Sequence, residues 1–569
     1  MPQDAFTLMH TARELNLKLS GAKIEKINQP SKDCVVFNIR KNNDNLKLII
    51  NANADFARIC VSEKSAPAPV QAPSFCMLLR KHLSRASVEK IQAVDFERIV
   101  VVYLNCRDEL GTLSTKRLYC EIMGKYSNVT LVEDGKILGA MKTTGMDEDL
   151  VRPIYPGAKY SLPKSQDKCE ISAFFAATKV FDKFDFSEDL SKFIFNNFKG
   201  ISYPTANDIV LSYYQSSASV TSDVKTFKTD DFIKYFYDYY NEPKIAPTLV
   251  SDGKKTDFFI VRPKAGYQSE KAYRDINSLV DDYYLSKEKS FAFSLKKNRL
   301  TDATRAYEKK LRKKLQIALE KLVACDDMED NRLFGELIIA YMYKIKSGEK
   351  FAEVEDYTKQ DYPLIKISLD ENLSPKENAE RYFKRYLKQK KTVVAVRPQV
   401  DEINEKLKYL DTVYAEIDSA ETDEDFADIE EELTMIGIVT AKKSNAKKKT
   451  FKPSKPRYYR YMNFDIFVGR NNIQNDRLTL SADRNDVWLH TKNYHSSHVI
   501  IKTDGREVPD QVLLYSAEIC AFFSQAKTAT KVPVDYTLKK YVKKPSGTPI
   551  GTVYYTNQKT IIVDPNEHI

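Results

Sequence analysis

The sequence predicts a multidomain α+β protein: an α+β N-terminal domain, a helical region, a long antiparallel coiled-coil hairpin and an α+β C-terminal domain. Three observations carry that reading. Runs of β-branched residues alternate with polar turns over residues 1–160. Between 286 and 440, apolar residues recur in two stretches at alternating spacings of three and four. After residue 461, strand and helix patterns return together. A chain of 569 residues has room for about three to five domains.

In chain order, Cys34–Ile39 (CVVFNI), Leu46–Ile50, Ile99–Leu104 and Val129–Glu133 suit strands, while Thr7–Leu17 and Phe75–Leu83 read as helices. Turn residues in Tyr155–Pro163 (YPGAKYSLP) punctuate the end of this first domain, residues 1–175. Residues 176–285 are expected to be mainly helical. Within them, Phe198-Lys199-Gly200-Ile201-Ser202 precedes a helix candidate near Pro204. A glycine turn at a helix N-terminus exposes N–H groups that suit phosphate, although a plain helix connection fits as well.

Residues 286–440 carry the hairpin. Leu311, Leu315, Ala318, Leu322 and Cys325 form one apolar seam, and Ile403, Leu407, Leu410, Tyr414 and Ile417 the other. Lysine and arginine crowd the first arm at Lys309, Lys310, Arg312, Lys313 and Lys314, and acids run from Glu416 to Glu432. Opposite charges on facing arms attract, each exposed pair only weakly. Residues 441–460 form a basic linker: Lys442–Arg460 holds nine Lys and Arg and no acid, with Tyr458, Tyr459 and Tyr461 beside it. Cations neutralise phosphate and aromatic rings stack on bases, so this stretch suits RNA. The last domain, 461–569, carries Lys539, Lys540, Lys543 and Lys544 near Tyr536 and Tyr541, a phosphate-binding edge.

The 89 Lys and Arg against 79 Asp and Glu leave a net charge of +10, which permits a polyanionic partner without requiring one. The eight cysteines show no C-x-x-C spacing and the six histidines no H-E-x-x-H, so neither metal, cofactor nor disulfide framework is expected. No apolar run approaches the ~18 residues of a membrane span, and residues 1–16 lack the apolar core of a signal peptide. A cytoplasmic location is the expectation.

Several segments resemble one family. Val468–Asp476 (VGRNNIQND) resembles the VGRNNxQND signature of NFACT-R domains, and Asp486–His490 (DVWLH), Ser497–Ile501 (SHVII), Val534–Thr537 (VDYT) and Val542–Gly547 (VKKPSG) resemble further segments of it. Lys26–Pro30 (KINQP), Pro73–His82 (PSFCMLLRKH), Glu121–Asn128 (EIMGKYSN) and Arg152, Pro156 and Gly157 resemble NFACT-N domains. Gly200-Ile201-Ser202 fits the entrance to that family's helix–hairpin–helix region, and Gly335–Ile338 (GELI) and Ser374–Tyr386 fit its coiled-coil section. In the family's domain order, and over nearly the whole chain, the sequence is similar to the RqcH/NEMF/Rqc2 family.

That resemblance implies a ribosome quality-control factor. Bacterial members bind a 50S subunit obstructed by peptidyl-tRNA, recruit alanyl-tRNA and promote mRNA-independent alanine tailing of the stalled chain for degradation. It implies 23S rRNA and these tRNAs as partners, a monomer on the ribosome, and no enzyme in its own right, since the ribosome supplies the peptide-bond chemistry. Carried over by motif, Glu97, Arg98, Glu121 and Lys125 are expected at tRNA. Arg470, Asn471, Gln474, Asn475, His498, Lys539, Lys540, Lys543 and Lys544 are expected at RNA. One departure stands out: tailing members carry Asp-Arg where this chain has Glu97-Arg98, a carboxylate one methylene longer. Two other classes make predictions of their own. A fibronectin-binding surface adhesin predicts a secretion signal, an anchor or an exposed repeat array, none of which is seen. A DNA-processing enzyme needs Pro-Glu at a mature N-terminus, whereas Gln3 follows Pro2.

Overall fold

The computed structural model describes residues 3–65, 67, 69–107, 112–144, 152–185, 188–216, 229–440 and 455–568. Most of the expected basic linker, residues 441–454, lies outside them. The chain divides into two compact units, Met1–Phe291 and Ala292–Ile569.

The first unit is organised by a nine-stranded antiparallel sheet in the order β4-β3-β2-β1-β5-β6-β7-β8-β9. Its strands are β1 (Lys23–Ser31), β2 (Cys34–Lys41), β3 (Asp44–Asn51), β4 (Arg58–Val61), β5 (Ser87–Ala93), β6 (Ile99–Arg107), β7 (Leu113–Glu121), β8 (Asn128–Glu133) and β9 (Lys136–Ala140). Side chains alternate between faces along a strand, and β2 shows the consequence. Val35, Phe37 and Ile39 join one core with Leu8 and Leu15 of helix α1 (Ala5–Leu19) and Leu79 and Leu83 of α2 (Ser74–Leu83). Val36, between them, joins a second core on the other face.

That second core is built by α3 (Phe174–Phe181), α4 (Leu190–Asn197), α5 (Tyr203–Ser216) and α6 (Thr229–Asn241), through Phe181, Phe193, Phe232 and Phe236. The expectation of a mainly helical 176–285 needs correction. A three-stranded sheet occupies β10 (Ile245–Ser251), β11 (Thr256–Val261) and β12 (Ser269–Ala272). Its inward residues Val250, Phe258 and Ile260 alternate with less buried neighbours, a period-two pattern masked by the aromatic helix before it.

Helix α7 (Ile276–Val323) starts on this unit. The Glu14 carboxylate accepts from Ile276 N at 2.9 Å and Asn277 N at 3.1 Å, supplying acceptors for its first amides. Asn277 then treats edge strand β4 as a neighbouring strand would, accepting from Val61 N at 2.6 Å and donating to Val61 O at 2.7 Å.

In the second unit, α7 and α9 (Pro375–Ser419) run antiparallel. Near one end Glu308 accepts from Tyr414 Oη at 2.9 Å, and farther along Gln389 donates to Ala324 O at 3.2 Å. The seam residues Leu311, Ala318, Cys325, Leu410 and Ile417 are buried. Ser374 starts α9 through a reciprocal capping box with Glu377. Between the two helices the chain forms α8 (Met328–Ala340) and the hairpin β13 (Phe351–Glu355) and β14 (Leu364–Ser368) around Leu337, Ile338 and Ile367. Cross-arm ion pairs form as expected but not from Lys309–Lys314. Lys296 with Asp423 (2.6 Å), Lys297 with Asp418 (2.9 Å) and Arg299 with Glu430 (2.7 Å) make them, because the antiparallel register brings the start of the basic arm to the acids.

After α10 (Asp423–Met435) the last domain is a six-stranded antiparallel sheet, β15-β16-β18-β17-β19-β22, with α11 (Asn472–Ser481) and α12 (Asp510–Phe522). The strands are β15 (Arg457–Tyr461), β16 (Phe464–Val468), β17 (Val487–Thr491), β18 (Val499–Lys502), β19 (Val532–Leu538) and β22 (Lys559–Val563). A two-residue pair, β20 (Val542–Lys543) and β21 (Tyr554–Tyr555), stands apart. Helix α12 packs Val512, Ala517 and Cys520 onto Ile466, Leu489 and Val534. Trp488 is fully buried with Ile500 and Val542.

Asn277→Ala removes both partners of Val61 and leaves a sheet edge unpaired. It is expected to cost about 2 kcal/mol of local opening free energy, or roughly thirtyfold faster amide exchange in the Arg58–Ser62 peptide. Unchanged exchange there would show that Asn277 does not hold the edge.

Candidate functional site

The tight loop between β5 and β6 carries Glu97 and Arg98. Val94 N donates to Ile99 O and Glu97 N to Val94 O, and Phe96 at the tip takes φ +57°. The loop packs on the first residues of the chain and on the turn before α5. Phe96 stacks on Tyr240 with centroids 5.1 Å apart. Gly200 has φ +78°, and a Cβ there would lie 3.1 Å from Tyr240 Oη and 3.3 Å from Phe96 Cα. Only glycine meets both demands cheaply.

Asp4 ties these segments together. One carboxylate oxygen accepts from Thr7 N at 2.9 Å and caps α1; the other accepts from Ser202 N at 2.9 Å and Thr205 Oγ1 at 2.7 Å. The result is a cleft of about 470 Å³ that Glu97, Arg98, Met123 and Gly200–Pro204 all line. The phosphate-type turn and the Glu97-Arg98 pair, read separately in the sequence, thus share one cavity. Lys164, Lys168 and Lys199 also line it, making its charged lining predominantly basic. Sequence reasoning missed Lys164 and Lys168; their four-residue spacing after Pro163 was the available signal. Ser165 donates to Glu97 Oε1 at 2.9 Å, so the longer carboxylate is held by the lysine-bearing loop.

Glu121 and Lys125 part company. Glu121 is 1% exposed and accepts from both Arg152 terminal nitrogens and from Tyr160 Oη at 2.9 Å, so it fastens the 152–160 segment to β7. Lys125 is exposed in the turn Gly124–Tyr126, with Nζ 4.8 Å from the Tyr126 ring centroid.

The VGRNNIQND segment of the second unit is occupied with internal bonds. Gly469 has no room for a Cβ, which would meet Asn475 Oδ1 at 2.0 Å. Asn471 caps α11 by accepting from Gln474 N at 2.8 Å, and donates to Asp428 at 3.0 Å. Gln474 Oε1 accepts from Arg470 N at 2.7 Å, and Asn475 Oδ1 from His498 N at 3.0 Å. Arg470 lies 3.5 Å from Asp425 and 3.6 Å from Glu421. Asn471, Gln474, Asn475 and His498 are therefore interior groups. His498 is 2% exposed and bonded to Thr479 Oγ1 at 2.7 Å. Burial holds it neutral far below the usual imidazole range, and also lowers neighbouring His490 and His495 to about 4. Of the lysines, Lys544 pairs with Asp476. Lys539 is half-buried in a short 3₁₀ turn, and Lys540 and Lys543 are exposed.

Asn472, absent from the expected set, meets buried carboxylates. Its backbone N–H donates to Glu416 and its side chain to Glu432 at 2.9 Å, and Tyr409 also donates to Glu432. Burial first, and the Glu432 charge second, raise Glu416 well above the ordinary carboxyl range. Glu432 is raised too, chiefly by burial. Among the described residues no His, Cys, Asp or Glu cluster suits a metal, and no helix is long and apolar enough to cross a membrane.

Two sheet domains separated in sequence by a long helical region define a multidomain α+β class. Residues 4–452 match the NFACT N-terminal and middle domains, and residues 455–557 match the NFACT protein RNA binding domain. The Rqc2 homolog RqcH of Bacillus subtilis (strain 168) is 32% identical over 97% of this chain and 96% of its own. The Rqc2 homolog RqcH of Streptococcus suis is 31% identical over 100% and 99%. The chain belongs to the RqcH family of NFACT proteins. Among solved structures, the N-terminal part of a fibronectin/fibrinogen-binding protein from Streptococcus suis is 28% identical, with TM-score 0.42 over 50% of this chain and 99% of that one. A likeness at that score carries no argument about activity.

A raised carboxyl pKa favours the protonated folded state. The stability from Glu416 is thus complete below the ordinary carboxyl range and lost as pH rises through its folded value. Glu416→Gln keeps the acceptor for Asn472 N and removes the titration. Between pH 5 and pH 8 the unfolding free energy of the wild type is expected to fall relative to that of Glu416→Gln, by up to about 1.4 kcal/mol per pH unit within the titration window, and its melting temperature falls with it. Parallel melting curves over that range would refute the assignment.

Proposed function

We propose that this chain is a ribosome-associated quality-control factor. It binds the large (50S) subunit obstructed by peptidyl-tRNA, contacts 23S rRNA, recruits alanyl-tRNA and promotes mRNA-independent alanine tailing. The carrying observation is the kinship to RqcH proteins along essentially the whole chain. The lysine-lined cleft that holds Glu97 and Arg98 supports it.

In this reading the protein positions tRNA and the ribosome forms the peptide bond. The Arg98 guanidinium offers a planar fork of donors to phosphate or a base edge. Glu97 accepts from an amine or ribose hydroxyl while Ser165 fixes its carboxylate. Lys125 adds an exposed cation from the neighbouring turn. In the last domain the RNA-facing groups are Lys539, Lys540 and Lys543, because the signature side chains Asn471, Gln474, Asn475 and His498 are turned inward. Arg470 and Lys544 support this surface through Asp425 and Asp476.

The deciding test is recovery of tagged protein from cells. Large-subunit RNA and alanine-type tRNA are expected, with little small-subunit RNA; recovery of whole 70S particles alone, or of no RNA, rejects the proposal. Arg98→Ala is expected to abolish tails and keep subunit binding, and normal tailing by that variant would reject the site. Replacing Lys539, Lys540 and Lys543 by Ala is expected to lower the slope of log affinity against log salt by roughly two to three. A fibronectin-binding surface adhesin is the alternative reading; retention of fibronectin by the purified chain, without 50S binding, would favour it.

A further inference from the structure

Another cavity, of about 340 Å³, lies within the second unit between the α9–α10 connection and the last domain. Its floor is made by two paired segments. Ser497 N donates to Phe523 O and Gln525 N to His495 O, each at 3.0 Å, which lays the approach to β18 against the exit of α12. Its wall carries two arginines for a reason of register. Arg457 opens β15 opposite Val468, the last residue of β16, and Arg470 follows Val468 by two positions, so both side chains line the same hollow. Lys527 joins them from the turn after α12.

Arg457 is poorly matched by its surroundings. Its side chain is 10% exposed, and its guanidinium lies 4.2 Å from the Phe523 ring centroid. Among the described residues that guanidinium makes no hydrogen bond, and its one ion-pair partner, Glu421, stands 3.5 Å away with a side chain 62% exposed. Burial pulls the Arg457 pKa below the ordinary arginine value, the mark of a charge taken from water without a full counter-charge. Lys527 Nζ sits 3.9 Å from the Phe522 ring centroid and has no acid within ion-pair distance among the described residues. Arg470 divides itself between Glu421 at 3.6 Å and Asp425 at 3.5 Å. The other acids of the wall are engaged or apart. Asp418 pairs with Lys297 at 2.9 Å, Glu416 accepts from Asn472 N, and Glu567 pairs with none of the three cations.

Glu421 thus fills the space between the two arginines loosely, at distances longer than the ~2.7–2.9 Å of a good charge-assisted hydrogen bond. With Glu421 turned outward, Arg457 and Lys527 keep two positive charges that no acid neutralises, and Arg470 shares Asp425. A phosphomonoester carries a charge of about −2 at neutral pH and three strong acceptor oxygens, which a planar guanidinium meets two at a time. We propose that this cavity binds a small free phosphomonoester, its phosphate held between Arg457 and Arg470 with Lys527 beside it, in the place that Glu421 now fills. The organic group takes the remaining volume beside Ala415 and Ala420. A phosphodiester carries one charge and two chain substituents, so the hollow is not a track for an RNA backbone. Ligand and Glu421 compete for the same guanidiniums, and Glu421 therefore sets the affinity.

The test is isothermal titration of the purified full chain at about pH 8, where the monoester is fully dianionic. The probes are inorganic phosphate, adenosine monophosphate, adenosine and dimethyl phosphate. The two dianions are expected to bind, and adenosine and the diester to bind at least about 30-fold more weakly, the loss expected when a buried cation keeps no partner. Glu421→Gln removes the internal competitor and is expected to tighten phosphate by about two- to fivefold. Arg457→Gln is expected to weaken it by about 30-fold or more. If Arg457→Gln does not keep the wild-type melting temperature, Arg457→Lys, which retains the charge and loses the planar fork, is measured instead and must weaken binding by at least about threefold. Absence of binding by both dianions up to about 10 mM, equal binding of dimethyl phosphate, or an affinity that Glu421→Gln leaves unchanged or weakens overturns the inference. These titrations involve neither ribosome nor RNA, so their outcome is separate from that of the recovery of 50S RNA from cells.

Discussion

The first unit depends on carboxylates that join segments far apart in sequence, and Asp4 is the decisive one. Its two oxygens serve three donors, two of them in the turn that opens α5. Together with the Phe6 N–H, which donates to Gly200 O at 3.0 Å, that bridge fixes the Gly200 turn to the first helix beside the Phe96 loop. Glu14 repeats the device at the start of α7. A charge-assisted bond to a helix N-terminus contributes more than a neutral one, so both acids act as struts as well as caps.

The second unit solves a related problem differently. Helix α11 begins against α9 and α10: Glu416 accepts from the Asn472 N–H, Glu432 from the Asn472 side chain and Asp428 from the Asn471 side chain. Several carboxyls in so small and dry a volume repel one another unless a proton or a donor intervenes. Asn471, Asn472 and Tyr409 supply donors, and the raised Glu416 supplies the proton. A motif that resembles an RNA-reading signature therefore works first as a joint within its own unit.

Much of this was legible in the sequence, unevenly. The strands of the large sheet were visible because β-branched runs bracketed by turn residues have few other uses. The antiparallel helices were visible in their apolar spacing. The sheet at 245–272 was not, since its short alternating strands follow a strongly aromatic helix. The acidic run from 416 to 432 showed its charge but not its direction. Asp418, Asp423 and Glu430 face the other arm, while Glu416, Asp428 and Glu432 turn inward; Glu416 and Asp418, like Asp428 and Glu430, are two residues apart, a step that carries a side chain to the opposite face of a helix. Glu97, Arg98 and Gly200 were each marked as suspects. That they share a cleft with Gln3, Phe195 and Tyr203 is a long-range fact that no local pattern encodes.

The wide sequence separation of the Asp4 contacts also bears on how the molecule is made. Asp4 and Ser202 lie 198 positions apart, and Glu14 and Asn277 lie 263 apart. At about 5–20 residues per second, the first helix is synthesised some 10–40 seconds before the partner of its capping carboxylate. Throughout that interval the apolar flank of α1 and an unmatched carboxylate wait together. The amino-terminal unit thus closes late in its own biosynthesis, and its high contact order makes slow closure the expected kinetic signature.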